Sequence, residues 1–266
     1  MNLKSKTVII TGASSGIGLA LAHHCNTLGC NVVLCARREE IIEREAASMT
    51  SALAVKCDVT KEEDCKRLIE KTVERFGKID ILINNAGLSM RAIFEDLELE
   101  VIHRLMDVNF WGAVYCTKYA LPYLLQSKGS VVGISSVAGL HGLPARVGYS
   151  ASKYALQGFL DTLRVENLKT GLHVMIVNPG FTESNVRFSA LTADGSAQGE
   201  SPRSEGKMMT SQEAAKRIMR AASKRKDRLV MDFDGKATKI LKLFAPHLLD
   251  RLFYKAMKKE PNSPLK

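Results

Sequence analysis

The 266-residue chain is 45% hydrophobic and 25% charged, with apolar residues enough for a full core in one large α/β domain or two small ones. No apolar run approaches membrane-spanning length and no charged-then-apolar leader opens the chain, so a cytoplasmic protein is expected. The net charge of +10 is concentrated at the end, where Lys236 to Lys266 holds eight Lys/Arg against Asp250 and Glu260; this terminal cluster carries no recognition motif, and no nucleic-acid partner is expected.

Thr7 to Thr11 is a β-branched, apolar run suited to a buried parallel strand. It leads into Thr11-Gly12-Ala13-Ser14-Ser15-Gly16-Ile17-Gly18 and then a helical pattern that stops at Gly29. Strand, glycine turn and helix in this order can hold a phosphate, because glycines let the backbone approach it and the helix start supplies free N–H groups. His23 and His24 fall inside this helix and read as an ordinary helix face. The six cysteines, Cys25, Cys30, Cys35, Cys57, Cys65 and Cys116, show no C-x-x-C or Cys/His spacing. They read as reduced, mostly buried thiols, and no metal site is expected.

The second strand, Asn31 to Ala36, is followed by Arg37 and Arg38, with no Asp or Glu between Asn31 and Arg38. An acidic residue there would bond the ribose 2′-hydroxyl of NAD, whereas arginine accommodates the 2′-phosphate of NADP. A helix over about 38–48, a strand ending near Asp58, a helix from Lys61 to Phe76 closed by Gly77, and a strand ending in Asn84-Asn85-Ala86-Gly87 come next. Alternation of strands and helices implies βαβ units, hence an α/β fold with a doubly wound parallel sheet whose ligands bind at the carboxyl edge. One long helix is expected over Glu98 to Gln126, with Asn109 inside it and Pro122 kinking or shortening its end.

Ser130 to Ser136 reads as the fifth strand, and a Gly/Pro loop joins it to a helix ending near Gly171. Tyr149 and Lys153 are four apart, so that helix places them on one face. A nearby ammonium favours the phenolate, and Ser136 can offer its hydroxyl to a substrate oxygen. Hydroxyl, phenol and cation together suit proton transfer to or from a carbonyl. A sixth strand, Leu172 to Asn178, leads to Pro179-Gly180.

Periodicity is lost from Phe181 to Met209, a stretch expected to be a lid over the substrate at about 181–209. Thr210 and Glu213 make a capping box for the next helix, and Arg228 to Phe233 can be a seventh strand. The expected division is a catalytic domain over 1–235 and a basic helical extension over 236–266. Asp234-Gly235 reads as a turn, and Pro246 opens a last helix that places Leu248, Leu249, Leu252, Phe253 and Met257 on one side. That helix either packs on the protein or a second copy of it, or lies at a membrane surface with its lysines toward anionic headgroups.

The joint pattern resembles the short-chain dehydrogenase/reductase family over about residues 5 to 233. It is carried by Thr11-Gly-x-x-x-Gly-Ile-Gly18, Asn84-Asn-Ala-Gly87, Asn109, Ser136, Tyr149-x-x-x-Lys153 and Asn178-Pro-Gly180. The resemblance implies a single Rossmann domain with a seven-stranded parallel sheet in the order 3-2-1-4-5-6-7. It implies Tyr149 as general acid/base, Lys153 lowering its pKa and holding the nicotinamide ribose, Ser136 binding the substrate oxygen, and Asn109 helping to hold a relay water. It also implies a cofactor, NADP(H), along the glycine turn (Gly12, Ser14, Ser15, Gly16, Ile17, Gly18), Arg37 and Arg38. Asp58 and Val59 would meet the adenine, Asn85, Ala86 and Gly87 would lie along the cofactor, and Pro179, Gly180 and Thr182 would face the carboxamide, with Ser184 a further contact.

The expected reaction is reversible hydride transfer between NADP(H) and a ketone or secondary alcohol. Alternatives are a 3-oxoacyl-thioester reductase meeting an acidic carrier protein, and a non-catalytic NADP-binding sensor or scaffold. Candidate pocket residues are Ser89, Met90, His141, Leu143, Phe181 and Phe188, mostly apolar or adaptable, which suits a lipid-like or steroid-like substrate. His141 reads as an exposed loop residue. A homodimer or homotetramer packed through helices around 100–126 and 149–170 is implied as well.

Overall fold

The apolar runs of the sequence pair side by side in a computed structural model that describes residues 2–182, 187–199 and 208–265. The strands are β1 (Thr7–Thr11), β2 (Asn31–Ala36), β3 (Ala52–Lys56), β4 (Ile81–Asn84), β5 (Ser130–Ile134), β6 (His173–Asn178) and β7 (Arg228–Val230). All pair in parallel in the order β3-β2-β1-β4-β5-β6-β7. This is a doubly wound, Rossmann-like sheet flanked by helices.

Side chains alternate across the sheet because successive strand residues point to opposite faces. Val8, Ile10, Val32, Leu34, Ile81 and Ile83 face α1 (Gly16–Thr27), α2 (Glu39–Ala47) and α7 (Ser211–Ser223). Ile9, Val33, Leu82, Val131 and Val174 face α3 (Glu62–Phe76), α5 (Gly112–Gln126) and α6 (Val147–Glu166). A third apolar cluster, around Met90, Val101, Leu105 and Leu191, lies beyond the carboxyl edge of β4 and includes α4 (Leu99–Met106). Lys6 Nζ and the Thr7 N–H both reach the carboxylate of Asp80, at 2.6 and 2.9 Å, which pins the start of β1 to the start of β4.

Several boundaries differ from the sequence reading. The long helix expected over 98–126 is α4 and α5 joined by a π-helical turn, Asp107–Trp111, that carries Asn109. Such turns widen a helix by one residue and frequently mark functional sites. α5 continues through Pro122 to Gln126. The expected seventh strand stops at Val230, and the expected turn at Asp234-Gly235 is instead the first turn of α8 (Phe233–Phe244). Asp232 caps that helix by accepting the Gly235 N–H at 2.9 Å, an arrangement that Asp before a helix start favours.

The Thr210 cap forms as expected, its hydroxyl accepting the Glu213 N–H at 3.2 Å, and Pro246 opens α9 (Pro246–Lys258). All six cysteines are buried and free. Part of the expected lid, 183–186 with Ser184 and 200–207, lies outside the described residues. The rest is held by isolated bridges, Leu191 to Met90 and to Ala197, and Thr182 to Met209.

Candidate active site

β1, β4, β5 and β6 deliver their loops to one cavity of about 470 Å³ at the carboxyl edge of the sheet. At its first wall the chain leaves β1 and turns at Gly12, whose φ of +68° falls in the left-handed region that glycine tolerates. A Cβ on Gly18 would lie 2.3 Å from the Gly12 carbonyl oxygen, so glycine there lets α1 pack against the turn that feeds it. Ser15 at the helix N-cap makes no side-chain cap, and no acidic residue occupies the first turn of α1. The positive end of that helix therefore faces the cavity without an internal anion, as a pyrophosphate site needs.

Arg37 and Arg38 follow β2 and line the same end. The Arg38 guanidinium donates to the Ser14 hydroxyl at 2.9 Å, tying this cation to the glycine turn. Asp58 and Val59, at the exit of β3, line the cavity as well. Asn85, Ala86 and Gly87 leave β4. The backbone N–H groups of Asn85 and Ala86 donate to the Thr11 hydroxyl at 3.0 and 2.9 Å, which fixes the β4 exit against the β1 exit. These residues fit a dinucleotide: a glycine cradle, a free helix start and cations at the ribose end.

Ser136, Tyr149 and Lys153 meet in the middle of the cavity. Ser136 leaves β5 and is held by Asn178 of β6, whose side-chain amide donates to the Ser136 carbonyl at 2.8 Å. Lys153 is buried, with Nζ donating to the Ile134 carbonyl at 2.9 Å and standing 5.7 Å from the Tyr149 ring centre. Burial pulls the Lys153 ammonium down to about 8. Burial also pushes the Tyr149 phenol up, opposed by a hydrogen bond with the Ser136 hydroxyl and by the charge of Arg146. In the protein alone, loss of water thus outweighs the stabilisation of phenolate expected from a nearby cation.

Gly18 and Asn109 stand behind the cavity wall. The Asn109 amide accepts the Leu88 N–H at 2.7 Å and donates to the Leu88 carbonyl at 3.0 Å and to the Ser152 hydroxyl at 2.8 Å. The π turn aims this one side chain at both the β4 loop and α6, so it braces the wall that carries Tyr149 and Lys153.

Pro179, Gly180 and Thr182 line the cavity beyond β6. Ser89, Leu143 and Phe181 line the cavity, whereas Met90 is buried in the third cluster and Phe188 lies outside the lining. His141 is not an exposed loop residue: it is buried under α9, stacked on Phe253 at 5.4 Å, with Nε2 3.0 Å from the Asp250 carboxylate. Arg146, Arg187, Phe253 and Glu260 also line the cavity. Sequence reading missed them because no motif marks them; the only signal was Glu260, an isolated acid in a basic tail.

A family model described as short chain dehydrogenase matches residues 6–194. Over 192 residues the chain is 44% identical to 11-beta-hydroxysteroid dehydrogenase 1A of Arabidopsis thaliana, a match covering 70% of this chain and 54% of that protein. The chain therefore spans about half the length of that relative. It is 35% identical to a Dictyostelium discoideum protein named dehydrogenase/reductase SDR family protein 7-like, covering 95% of this chain and 82% of the other. Among solved structures, an alcohol dehydrogenase from Thermococcus sibiricus complexed with 5-hydroxy-NADP superposes with a TM-score of 0.76 at 25% identity, covering 86% of this chain and 96% of that one. A short-chain dehydrogenase from Streptomyces avermitilis superposes with a TM-score of 0.81 at 27% identity, covering 96% and 98%.

The burial of Lys153 yields a prediction. Its folded value of about 8 lies below its ordinary 10.5, so between these pH values the unfolded chain holds more of this proton. Stability contributed by this group then rises with pH across that window. Lys153→Met should remove this rise, and comparing urea midpoints of the two proteins at pH 8 and 10.5 checks it. An identical pH dependence in both would contradict the burial argument.

Proposed function

We propose, from the premise that this chain belongs to the short-chain dehydrogenase/reductase family, that it is an NADP(H)-dependent oxidoreductase. Its substrate would be a hydrophobic, lipid-like or steroid-like ketone or secondary alcohol. The observation that carries this reading is the meeting of Ser136, Tyr149 and Lys153 with the glycine turn in one cavity. Relatives named as hydroxysteroid dehydrogenases and the apolar residues Leu143, Phe181 and Phe253 at the substrate end support the substrate class.

A bound nicotinamide would supply or accept the hydride. Gly12, Ser14, Ser15, Gly16 and Ile17 would hold the pyrophosphate, Arg37 and Arg38 the 2′-phosphate, and Lys153 the nicotinamide ribose. Asn85, Ala86, Gly87, Pro179, Gly180 and Thr182 would line the path between. In the reducing direction the Tyr149 hydroxyl gives its proton to the carbonyl oxygen. The Ser136 hydroxyl donates to the same oxygen as it gains charge, and the buried setting strengthens that bond. In the oxidising direction the phenolate takes the proton back.

Tyr149→Phe should cut turnover by roughly 10² to 10⁴, the scale of one positioned general acid, with cofactor binding retained. NADPH oxidation with a panel of ketones measures this, and a variant keeping more than about a tenth of the activity would rule out the assignment. Arg37→Asp should reverse a preference for NADPH over NADH, since it replaces a phosphate-binding cation with a ribose-binding carboxylate. Equal affinity of the unmodified protein for the two cofactors would refute the NADP reading.

We also propose two surfaces. Trp111, Tyr154 and Val165 are exposed on the helices implied in dimer or tetramer packing. On the tail, Leu249 and Met257 of α9 are buried and Phe253 faces the cavity. Leu248 and Leu252 instead remain exposed with Phe233, Ile240, Leu243 and Phe244 of α8. With the surrounding lysines this face suits an anionic membrane surface. Among the described residues no helix is long and apolar enough to cross a membrane. Sedimentation of the protein alone should show a dimer or tetramer, and co-sedimentation with phosphatidylserine vesicles should occur at low salt and weaken at high salt. Monomer only, or no vesicle binding at low salt, would remove the respective surface.

A further inference from the structure

The chain joining Ser136 to Tyr149 is gripped along its length by the C-terminal tail. Lys242 of α8 donates from Nζ to the Leu140 carbonyl at 2.7 Å and to the Tyr154 hydroxyl at 2.5 Å. Asp250 of α9 reaches His141, which stacks on Phe253 of the same helix. Beyond α9, Glu260 Oε2 lies 3.6 Å from Nη2 of both Arg91 and Arg146. The Pro261 carbonyl accepts from Arg91 Nη2 at 2.5 Å.

Arg91 and Arg146 are neighbours because Ala92 and Arg146 form a parallel bridge, with the Ala92 N–H donating to the Ala145 carbonyl at 3.2 Å. Ala145 itself has φ +57°, a left-handed conformation that costs a non-glycine residue energy and persists where surrounding contacts impose it. The side chains of Arg91, Arg146 and Glu260 are 5%, 15% and 6% exposed. Three charges largely out of water stabilise one another only while all are in place.

We propose that Glu260 is a positioning residue of the active site: through Arg91 and Arg146 it latches the tail as one wall of the substrate cavity and fixes the Arg146 guanidinium beside Tyr149. Arg146, Tyr149, Phe253 and Glu260 line the same cavity. The second half of this proposal rests on Tyr149 being the acid/base. Among the described residues, the polar and charged groups sharing the cavity with that phenol include the Ser136 hydroxyl from the β5 exit, Arg146 just before α6, Lys153 on α6, Arg187 from the segment after β6, and Glu260 behind Arg146. Arg146 favours the phenolate, and Glu260 opposes it by offsetting the arginine charge.

Two measurements on the full chain test this. The first is tryptic cleavage at Lys255, Lys258 and Lys259, which needs no substrate. Glu260→Gln should speed it roughly tenfold or more, because removing one partner of a buried ion pair strongly weakens the docked state. The melting temperature of the remainder should change little. The second is the pH profile of kcat/KM for oxidation of decalol, a bicyclic secondary alcohol. Arg146→Gln should move the midpoint up and Glu260→Gln should move it down, each by about half a unit or more, within the range one neighbouring charge commands. Arg146→Lys should restore the unmodified midpoint.

Opposite displacements distinguish positioning from a general loss of structure, which would move both the same way. Unchanged cleavage in Glu260→Gln overturns the latch, and midpoints that stay fixed or move together overturn the link to Tyr149. Failure of the unmodified protein to oxidise any secondary alcohol, or full activity in Tyr149→Phe, would instead count against the functional reading, and the cleavage result would still decide the latch.

Discussion

An ammonium ion held away from water is the constraint around which this structure is arranged. Lys153 sits at the centre of the cavity with its Nζ bonded to the Ile134 carbonyl. That carbonyl ends β5, where the chain leaves the sheet. The following residue, Ser135, donates its N–H to the Val177 carbonyl at 2.8 Å, which holds the exit in place against β6. A buried cation without such an acceptor would lose its proton. The other supports converge here too. Asn178 fixes Ser136 from the neighbouring strand, and Asn109 fixes α6 from the π turn. The Ser136 backbone, the Lys153 ammonium and α6 are thereby each held by an element other than their own.

Most of this was legible in the chain because the relevant signals are local. A β-branched run, a glycine turn and a helical pattern specify strand, cradle and helix start within twenty residues. Tyr149 and Lys153 needed only the 3.6-residue period to be placed on one face. What could not be read was non-local. The π turn at Asp107–Trp111 interrupts a helix whose sequence pattern continues through it, since one added residue per turn leaves no compositional mark. The burial of His141 depends on α9 arriving more than a hundred residues later in the chain, so a loop histidine beside glycines read as exposed. Arg91, Arg146 and Glu260 are separated by long stretches and match no short motif; only the folded chain brings them together.

The direction of the Tyr149 displacement separates what the protein does from what a bound cofactor and substrate add. In the protein alone, burial dominates and the phenol is harder to ionise. Lys153, drawn down to about 8 by the same burial, is a weaker cation than an exposed lysine at the upper end of the physiological range. Both displacements have one physical origin, the poor solvation of charge in the cavity. They also act in the same sense, disfavouring the charged pair that alcohol oxidation would require.

The two ends of the cavity are built from different parts of the chain, and this division follows from the order of the strands. Residues up to Val59 form the end with the glycine turn and the arginines, since β1, β2 and β3 occupy one half of the sheet. The opposite end draws on the loops after β4, β5 and β6 beyond their short motifs, and on the tail, where no motif marks the lining residues. Ser136, Tyr149 and Lys153 line the cavity together with residues of both ends. Leu143, Phe181, Phe253 and Glu260 belong to the second group, so changes in them leave the glycine turn and its neighbours in place. The same separation explains why the motif-bearing residues could be read from the sequence, while the other end of the cavity became visible only when the tail was seen folded against the chain between Ser136 and Tyr149.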